Sequence, residues 1–465
     1  MTAPLNPSTQ PEIRLGVWDT VSVIVGIVVG VSIFKAPQSV FGSVAGPWQG
    51  LGVWVLGGVL TFIGALCYAE LATTYPRLGG DYVYLTRAFG GTVGFVFGWV
   101  RLVAIVTGNV GAMSFVFADY AGQIWNFDPA LGVWLAVCVV LGLSLLNMFG
   151  LQLTVNTQNV LTVVKSVGVL GIIIVGLAWG GNPAATDAVE PSALSLGTAL
   201  IFVLYTYGGW NDSVFVAAEV RDVRRNMPRA LLLGTLGITV IYLLVNGAYL
   251  WCLGFDGVRS SPTPASDVLH TVFGERSARG MSLLVMVSAL GAVNGMIFTG
   301  SRVSAGMGAD HRLFALMGRW HPKLGSPIWS LGVQAIVSVS MILIVGTEQG
   351  RRLIDRSLAA ARVPKIPWDD YGAGFETLVA GTAPVFWLFL LLTATSLFVL
   401  RVRDADLQRP FAVPLYPLIP IIFCLTCGYM LYASLAYAKG LAVLGIVPLV
   451  CGIPLHALSR RMAEP

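Results

Sequence analysis

The sequence predicts an all-α polytopic membrane protein with about twelve transmembrane helices, two of them broken. Three observations carry that expectation. Hydrophobic residues make up 56% of the 465 residues and charged residues only 11%, where soluble domains carry about 25% charged residues. The mean hydropathy is +0.78. Apolar stretches of about 20 residues, the length that crosses a bilayer as a helix, recur along the chain, and two of them are interrupted by small residues.

Taken in order, the stretches lie near 17–43 (broken), 49–73, 90–120, 130–150, 157–180, 195–219 (broken), 229–254, 281–306, 327–346, 376–400, 415–437 and 440–458. No segment between them is long enough to fold as a soluble domain. The first 15 residues are polar and hold no apolar core, which argues against a signal peptide. With the N-terminus on the cytoplasmic side, sixteen Lys and Arg fall in cytoplasmic loops and nine outside, in the sense of the positive-inside rule. Much of the outer group sits in one loop, 347–375, and long loops cross the membrane largely regardless of charge. Both termini are therefore expected in the cytoplasm. The net charge of +5 reads as membrane topology, not as affinity for nucleic acid.

The first break falls at 26–37, where Gly26, Gly30 and Ser32 precede Lys35 and Pro37. Lipid tolerates freed backbone groups only where they face protein, water or a ligand. Freed amides at the start of a half-helix suit an anion such as a carboxylate. The second break is at 205–212, Tyr-Thr-Tyr-Gly-Gly-Trp-Asn-Asp. The breaks lie in the first and sixth spans, the matching positions of two inverted five-helix repeats, and such pairs mark the midplane site of a transporter. The expected organisation is a polar tail over 1–15, repeats over 16–181 and 194–401, and two further helices over 402–465.

Other patterns read as structural. Gly90, Gly94 and Gly98 give the small-xxx-small spacing of close helix packing. The six cysteines fall in or at the edge of apolar segments, and the Cys424-x-x-Cys427 pair has no nearby His or second pair, so they are taken as packing residues and no metal or cofactor is expected. The Asn211-Asp212-Ser213 sequon lies mid-membrane, beyond use as a glycosylation acceptor. No Walker loop or H-E-x-x-H motif is present, which argues against an enzyme.

Longer motifs resemble the amino acid–polyamine–organocation superfamily, and within it the L-type amino acid transporter branch. Residues 64–90 carry its second-span and following-loop pattern. Tyr207-Gly208-Gly209-Trp210-Asn211 with Glu219-Val220 and Arg225-Asn226-Met227-Pro228 is similar to its sixth span. Gly291-Ala292-Val293-Asn294-Gly295 with Phe298-Thr299 and Ser301-Arg302 resembles its eighth, and Arg409-Pro410-Phe411 the tract before its eleventh. The resemblance implies a five-plus-five inverted repeat of the LeuT type and amino acid transport by alternating access. It also implies that Gly30, Val31, Ser32 and Ile33 offer amides to a substrate carboxylate, and that Tyr205, Gly208, Trp210 and Asn211 line the side-chain pocket and gate. Ser32 replaces a family glycine and adds a side chain where only glycine leaves the backbone bare, which implies a tighter cradle. Of the family's two glutamates after the sixth span, only Glu219 is kept. The branch's heavy-subunit cysteine has no counterpart near 120–130, so a disulfide-linked partner is not expected.

Three charges lie deep in apolar spans. Lys165 sits about 15 Å into the fifth span at 1.5 Å per residue, too deep to snorkel, so it should face the interior with a partner. It matches the position where sodium-independent family members carry a lysine in place of a coupling cation. Its expected partners are carbonyls around Gly26–Val29 and polar groups near Asn294, Thr299 or Ser301. Arg101 and Asp212 either pair with each other or shape charge selectivity. The reading is a sodium-independent carrier of amino acids, neutral ones foremost, working by exchange or proton coupling. Alternatives are a cationic amino acid or polyamine carrier using Asp212, and a sensor that binds without transporting.

Overall fold

The computed structural model describes residues 14–180, 196–274, 276–360, 366, 368 and 374–461. The described chain is helical almost throughout. The first break separates α1 (Val17–Val28) from α2 (Ser32–Gly42), bent by 54°. Then come α3 (Pro47–Thr74), a short α4 (Asp81–Phe89), and α5 (Gly91–Val100) continuing through a π-helical turn, Arg101–Ile105, into α6 (Val106–Trp125). Next are α7 (Pro129–Met148), α8 (Leu151–Trp179) and α9 (Leu196–Thr206), the last followed by a 3-10 segment, Trp210–Glu219. The second half holds α10 (Val223–Ser260), α11 (Pro264–Phe273), α12 (Arg276–Asp310), α13 (Ile328–Gly346), α14 (Glu348–Ala360), α15 (Phe375–Arg403), α16 (Leu418–Ala438) and α17 (Val443–Arg461).

Nine described stretches are long and apolar enough to cross a membrane, ten with the bent α1–α2 pair. The figure differs from the expected twelve for two physical reasons. α16 and α17 run together through a 3-10 turn at Lys439–Ala442, and α9, of 11 residues, is too short to span alone. Three helices were not foreseen, α4, α11 and α14, because each is short and lies outside the long apolar stretches.

Sequence periodicity explains how the helices face. On α8, Val160, Val163, Val167, Leu170, Ile174 and Leu177 form an exposed apolar stripe, while Thr154, Gln158, Thr162, Lys165, Val169 and Ile172 are buried. The three- and four-residue spacings put each set on one face. This is inverted relative to a soluble helix: the apolar stripe meets lipid and the polar one meets protein. Exposed tryptophans cluster toward helix ends, at Trp18, Trp48, Trp125, Trp179 and Trp329, as membrane–water interfaces favour.

α1 packs against α8, α10 and α12, and α6 against α12, α13 and α15. The two breaks thus meet in the middle of the bundle, walled by α6, α12 and α15. The side that carries residue 14 is sealed. The amides of Arg14 and Leu15 donate to Glu219 O (3.0 and 2.9 Å), and Arg221 N–H returns a bond to Leu15 O at 2.9 Å. Behind that patch the Glu219 carboxylate takes a two-pronged ion pair from Arg302, Nε at 2.8 Å and Nη2 at 3.3 Å, both side chains fully buried. Glu70 is held in a similar way, accepting from Arg401 Nε at 2.8 Å and from the Val413 amide at 2.7 Å.

Candidate functional site

The first break leaves backbone groups unspent. Val29 N–H still closes the end of α1 on Val25 O (2.9 Å), and Phe34 N–H is the first amide of α2 with a backbone acceptor, Val31 O at 3.0 Å. Between them, among the described residues, no backbone carbonyl accepts from the amides of Gly30, Val31, Ser32 or Ile33. These are the orphan donors of a helix N-terminus, placed mid-bundle among buried residues.

The second break is built on Gly209. Its φ is +100°, and a Cβ there would come within 2.7 Å of Ile27 Cγ2. Only glycine meets both demands, the positive φ and the close approach of the sixth span to the first. The Tyr242 hydroxyl lies 2.9 Å from Val28 O and 3.0 Å from Thr206 O, so one side chain joins the carbonyl ends of both breaks. Tyr242 carried no sequence cue, because a tyrosine inside an apolar span reads as packing.

A cavity of about 120 Å³ lies between the breaks. One water needs about 10–15 Å³ of such space, so the cavity holds roughly ten water-sized particles, the bulk of a small to medium amino acid. Gly30, Val31, Ser32, Tyr205 and Gly208 line it. Ile33 is buried and is not among the residues that line it. Trp210 and Asn211 lie outside it, on a smaller adjoining void that shares Gly208, Gly209, Leu204, Phe386 and Trp387 with the cavity. The Trp210 ring meets Tyr68 edge-on at 5.1 Å and Phe423 at 6.2 Å.

The remaining wall was not foreseen as a site. α6 contributes Asn109 and Met113, α12 Ala292 and Met296, and α15 Thr382, Phe386 and Trp387. Asn109, a polar residue deep in an apolar span, was a usable signal. α15 offered none, since an unbroken apolar helix does not reveal which face meets a cavity.

The deep charges are all held. Lys165 is fully buried, and its ammonium donates to Gly26 O at 2.6 Å and Val29 O at 3.0 Å. Ser288 Oγ on α12 also donates to Val29 O, at 3.2 Å. Gly291, on the same helix, makes room: a Cβ there would stand 3.2 Å from the Lys165 ammonium. The ammonium thus lies between the unwound end of α1 and α12. The carbonyl partners are those expected; the side chains suggested beside them are engaged elsewhere. Asn294 bonds Asn147 and Gln158, and Ser301 accepts from Arg302. Arg101 and Asp212 form an ion pair (Nη2 to Oδ1, 3.0 Å) on the cavity wall, with the guanidinium 3.9 Å above the Phe215 ring. Among the described residues no cluster of three metal-ligating side chains occurs, and all six cysteines are unpaired.

An apolar helical bundle with a central cavity between two broken helices, closed on one side by buried ion pairs, is an integral membrane transporter. The chain belongs to the amino acid permease family, whose profile matches residues 15–451. It is 26% identical to the serine/threonine exchanger SteT of Bacillus subtilis (strain 168), over 97% of this chain and 98% of that one. It is 29% identical to the large neutral amino acids transporter small subunit 2 of Mus musculus, covering 96% of this chain and 81% of the relative. To the b(0,+)-type amino acid transporter 1 of Rattus norvegicus it is 30% identical, covering 93% and 84%. Family and relatives are membrane transporters, not enzymes. Among solved structures, Mhp1, a nucleobase-cation-symport-1 family transporter in a closed conformation, superposes with a TM-score of 0.57 over 94% of this chain and 96% of that one, at 14% identity. That likeness concerns the fold, a helical transporter architecture.

Proposed function

We propose that the protein carries amino acids across the membrane by alternating access, as a sodium-independent exchanger or proton-coupled carrier with neutral amino acids as substrates. The observation that carries the reading is the set of unspent amides at residues 30–33, of which residues 30–32 line a cavity of amino acid size beside the second break. In this reading the substrate carboxylate accepts from the amides of Val31, Ser32 and Ile33, and its ammonium donates to carbonyls freed at the two breaks. Tyr205 covers the bound substrate. Trp210 and Asn211 act from behind the second break, holding the turn at Gly208 and Gly209. The Lys165 ammonium fills the place between the first and eighth spans that a coupling cation would need. The exchanger and amino acid transporters to which the chain is similar support the substrate class. Pairing of Asp212 with Arg101 removes the free carboxylate on which a cationic or polyamine substrate depended.

The repeats fall at 16–181 and 194–401 in this reading, with helices 402–465 appended and both termini cytoplasmic. The turn after α6, at Asn126–Asp128, has no cysteine, so the carrier works without a covalently attached partner. The test is uptake of a panel of labelled amino acids into proteoliposomes, with and without sodium, with imposed pH gradients, and with unlabelled amino acid preloaded. Sodium-independent uptake accelerated by preloading or by a pH gradient supports the reading. Binding without flux would make the protein a sensor, and stronger competition by arginine or a diamine than by alanine would make it a cationic carrier.

A further inference from the structure

The wall of the cavity contains more hydrogen-bonding capacity than its neighbours use. Arg101 has 3% of its surface exposed, yet among the described residues only one of its five N–H donors is used, an Nη2 bond to Asp212. Its Nε has no partner among the described residues. The guanidinium cannot turn away, because one face rests on the Phe215 ring at 3.9 Å. Both members of the pair line the cavity, with Asn109 and Thr382 on the flanking helices. Nε itself is sealed from the cavity, so it is the guanidinium's remaining Nη donors, on the cavity lining, that whatever fills the cavity would satisfy.

The chemistry of that filler is restricted. An aliphatic side chain would leave the Arg101 donors dry. A side-chain ammonium would meet Arg101 itself. A side-chain carboxylate would lie beside Asp212, with Asp81 also within electrostatic reach of Arg101; Asp81 Oδ2 accepts from Tyr68 OH at 3.0 Å, and its Oδ1 has no partner among the described residues. A hydroxyl or carboxamide satisfies the wall, accepting from the guanidinium and donating toward Asp212 without adding charge.

We infer that the Arg101–Asp212 pair is the specificity-determining element of the site, selecting amino acids with a short hydroxyl or carboxamide side chain over aliphatic ones of the same shape. The inference rests on the reading of the cavity as an amino acid site. A site built to bond a polar group rejects the analogue that lacks it, because its own groups are left unpaired. An unmet buried partner costs about 1–3 kcal/mol, which is roughly five- to 150-fold in affinity.

The test compares shape-matched pairs, threonine with valine and asparagine with leucine, for uptake into proteoliposomes and for thermal stabilisation of the purified protein. Threonine and asparagine are expected to lead by about ten-fold or more. In Arg101→Leu/Asp212→Asn, which removes both charges of the pair together, the threonine-to-valine ratio falls toward one. Wild-type protein that takes or binds valine and leucine as well as their polar partners overturns the inference while leaving amino acid transport intact. So does a double variant that keeps the wild-type ratio. Where that variant does not fold, the wild-type ratios decide. Absence of uptake and of stabilisation by every amino acid refutes the underlying transporter reading instead.

Discussion

Replacing Gly209 by alanine tests whether the two broken helices meet as described. The substitution adds one methyl group and meets two separate penalties. Gly209 has φ +100°, and an L-residue held at positive φ costs about 1–3 kcal/mol. The new Cβ would also stand 2.7 Å from Ile27 Cγ2. That atom is a branch methyl on a side chain stiff at χ1, so the contact is relieved only by moving α1 or the turn, at about 1–3 kcal/mol for overpacking. Together the penalties come to about 2–6 kcal/mol, a large part of a typical folding free energy. Gly208→Ala is the matched control: its φ is not positive, and its Cβ would come no closer than 3.1 Å to the Tyr205 carbonyl oxygen and 3.9 Å to that of Leu204. The assay is thermal inactivation of the detergent-solubilised protein alongside uptake in vesicles. Gly209→Ala should inactivate several degrees below wild type, and further below it than Gly208→Ala. Adding Ile27→Ala should return the steric share, shown as a favourable coupling in a double-mutant cycle, but not the backbone share. Equal inactivation temperatures for Gly209→Ala and wild type would refute the close crossing of the breaks.

Other consequences follow from the same geometry. Lys165→Ala strips the Gly26 and Val29 carbonyls of their ammonium and should reduce uptake by at least about ten-fold, one lost charge-assisted hydrogen bond being worth about 1.5–3 kcal/mol; unchanged transport with an unchanged pH response would sink its role as a cation substitute. Glu219→Gln leaves Arg302 buried without its counter-charge. Breaking a buried pair costs about 3–5 kcal/mol, and the loss should appear as lower stability with faster protease or thiol-reagent access from the side bearing residue 14; equal access in variant and wild type would show that the pair does not seal that side. At the same face His311 lies beyond the end of α12, with its ring 4.8 Å from Phe95 and 5.8 Å from His456, and its Nδ1 3.3 Å from Ser459 Oγ. Burial holds its pKa below the usual imidazole value, with His456 adding to the shift and Asp310 opposing it. A histidine with a depressed folded pKa binds protons more readily unfolded, so it withdraws stability as pH falls below about 6.5. His311→Asn should therefore flatten the loss of thermal stability between about pH 7 and 5.5, and an identical slope in the variant would rule the group out.

The sequence made the breaks legible because a Gly-Gly or Gly-x-Ser run stands out within an apolar span and the membrane penalises freed backbone groups. The lipid-facing and buried stripes of α8 follow from helical periodicity alone. The depth of Lys165 and Arg101 likewise forced interior partners, since neither could reach water. What stayed hidden depended on contacts between distant segments. Nothing local says that Tyr242 bridges Val28 and Thr206, or that Phe386 and Trp387 turn toward a cavity. Trp210 and Asn211 show the limit from the other side. They flank the second break in sequence, but the positive φ at Gly209 and the 3-10 winding after it carry both onto the adjoining void.

The most direct test of the account concerns the free amides at residues 30–33, where a carboxylate is required. Labelled alanine uptake into proteoliposomes would be competed with unlabelled alanine, alanine methyl ester and ethylamine at equal concentrations. The account predicts strong competition by alanine and little by the ester or the amine, neither of which can offer a carboxylate to the α2 amides. Competition by the ester as strong as by alanine would contradict it.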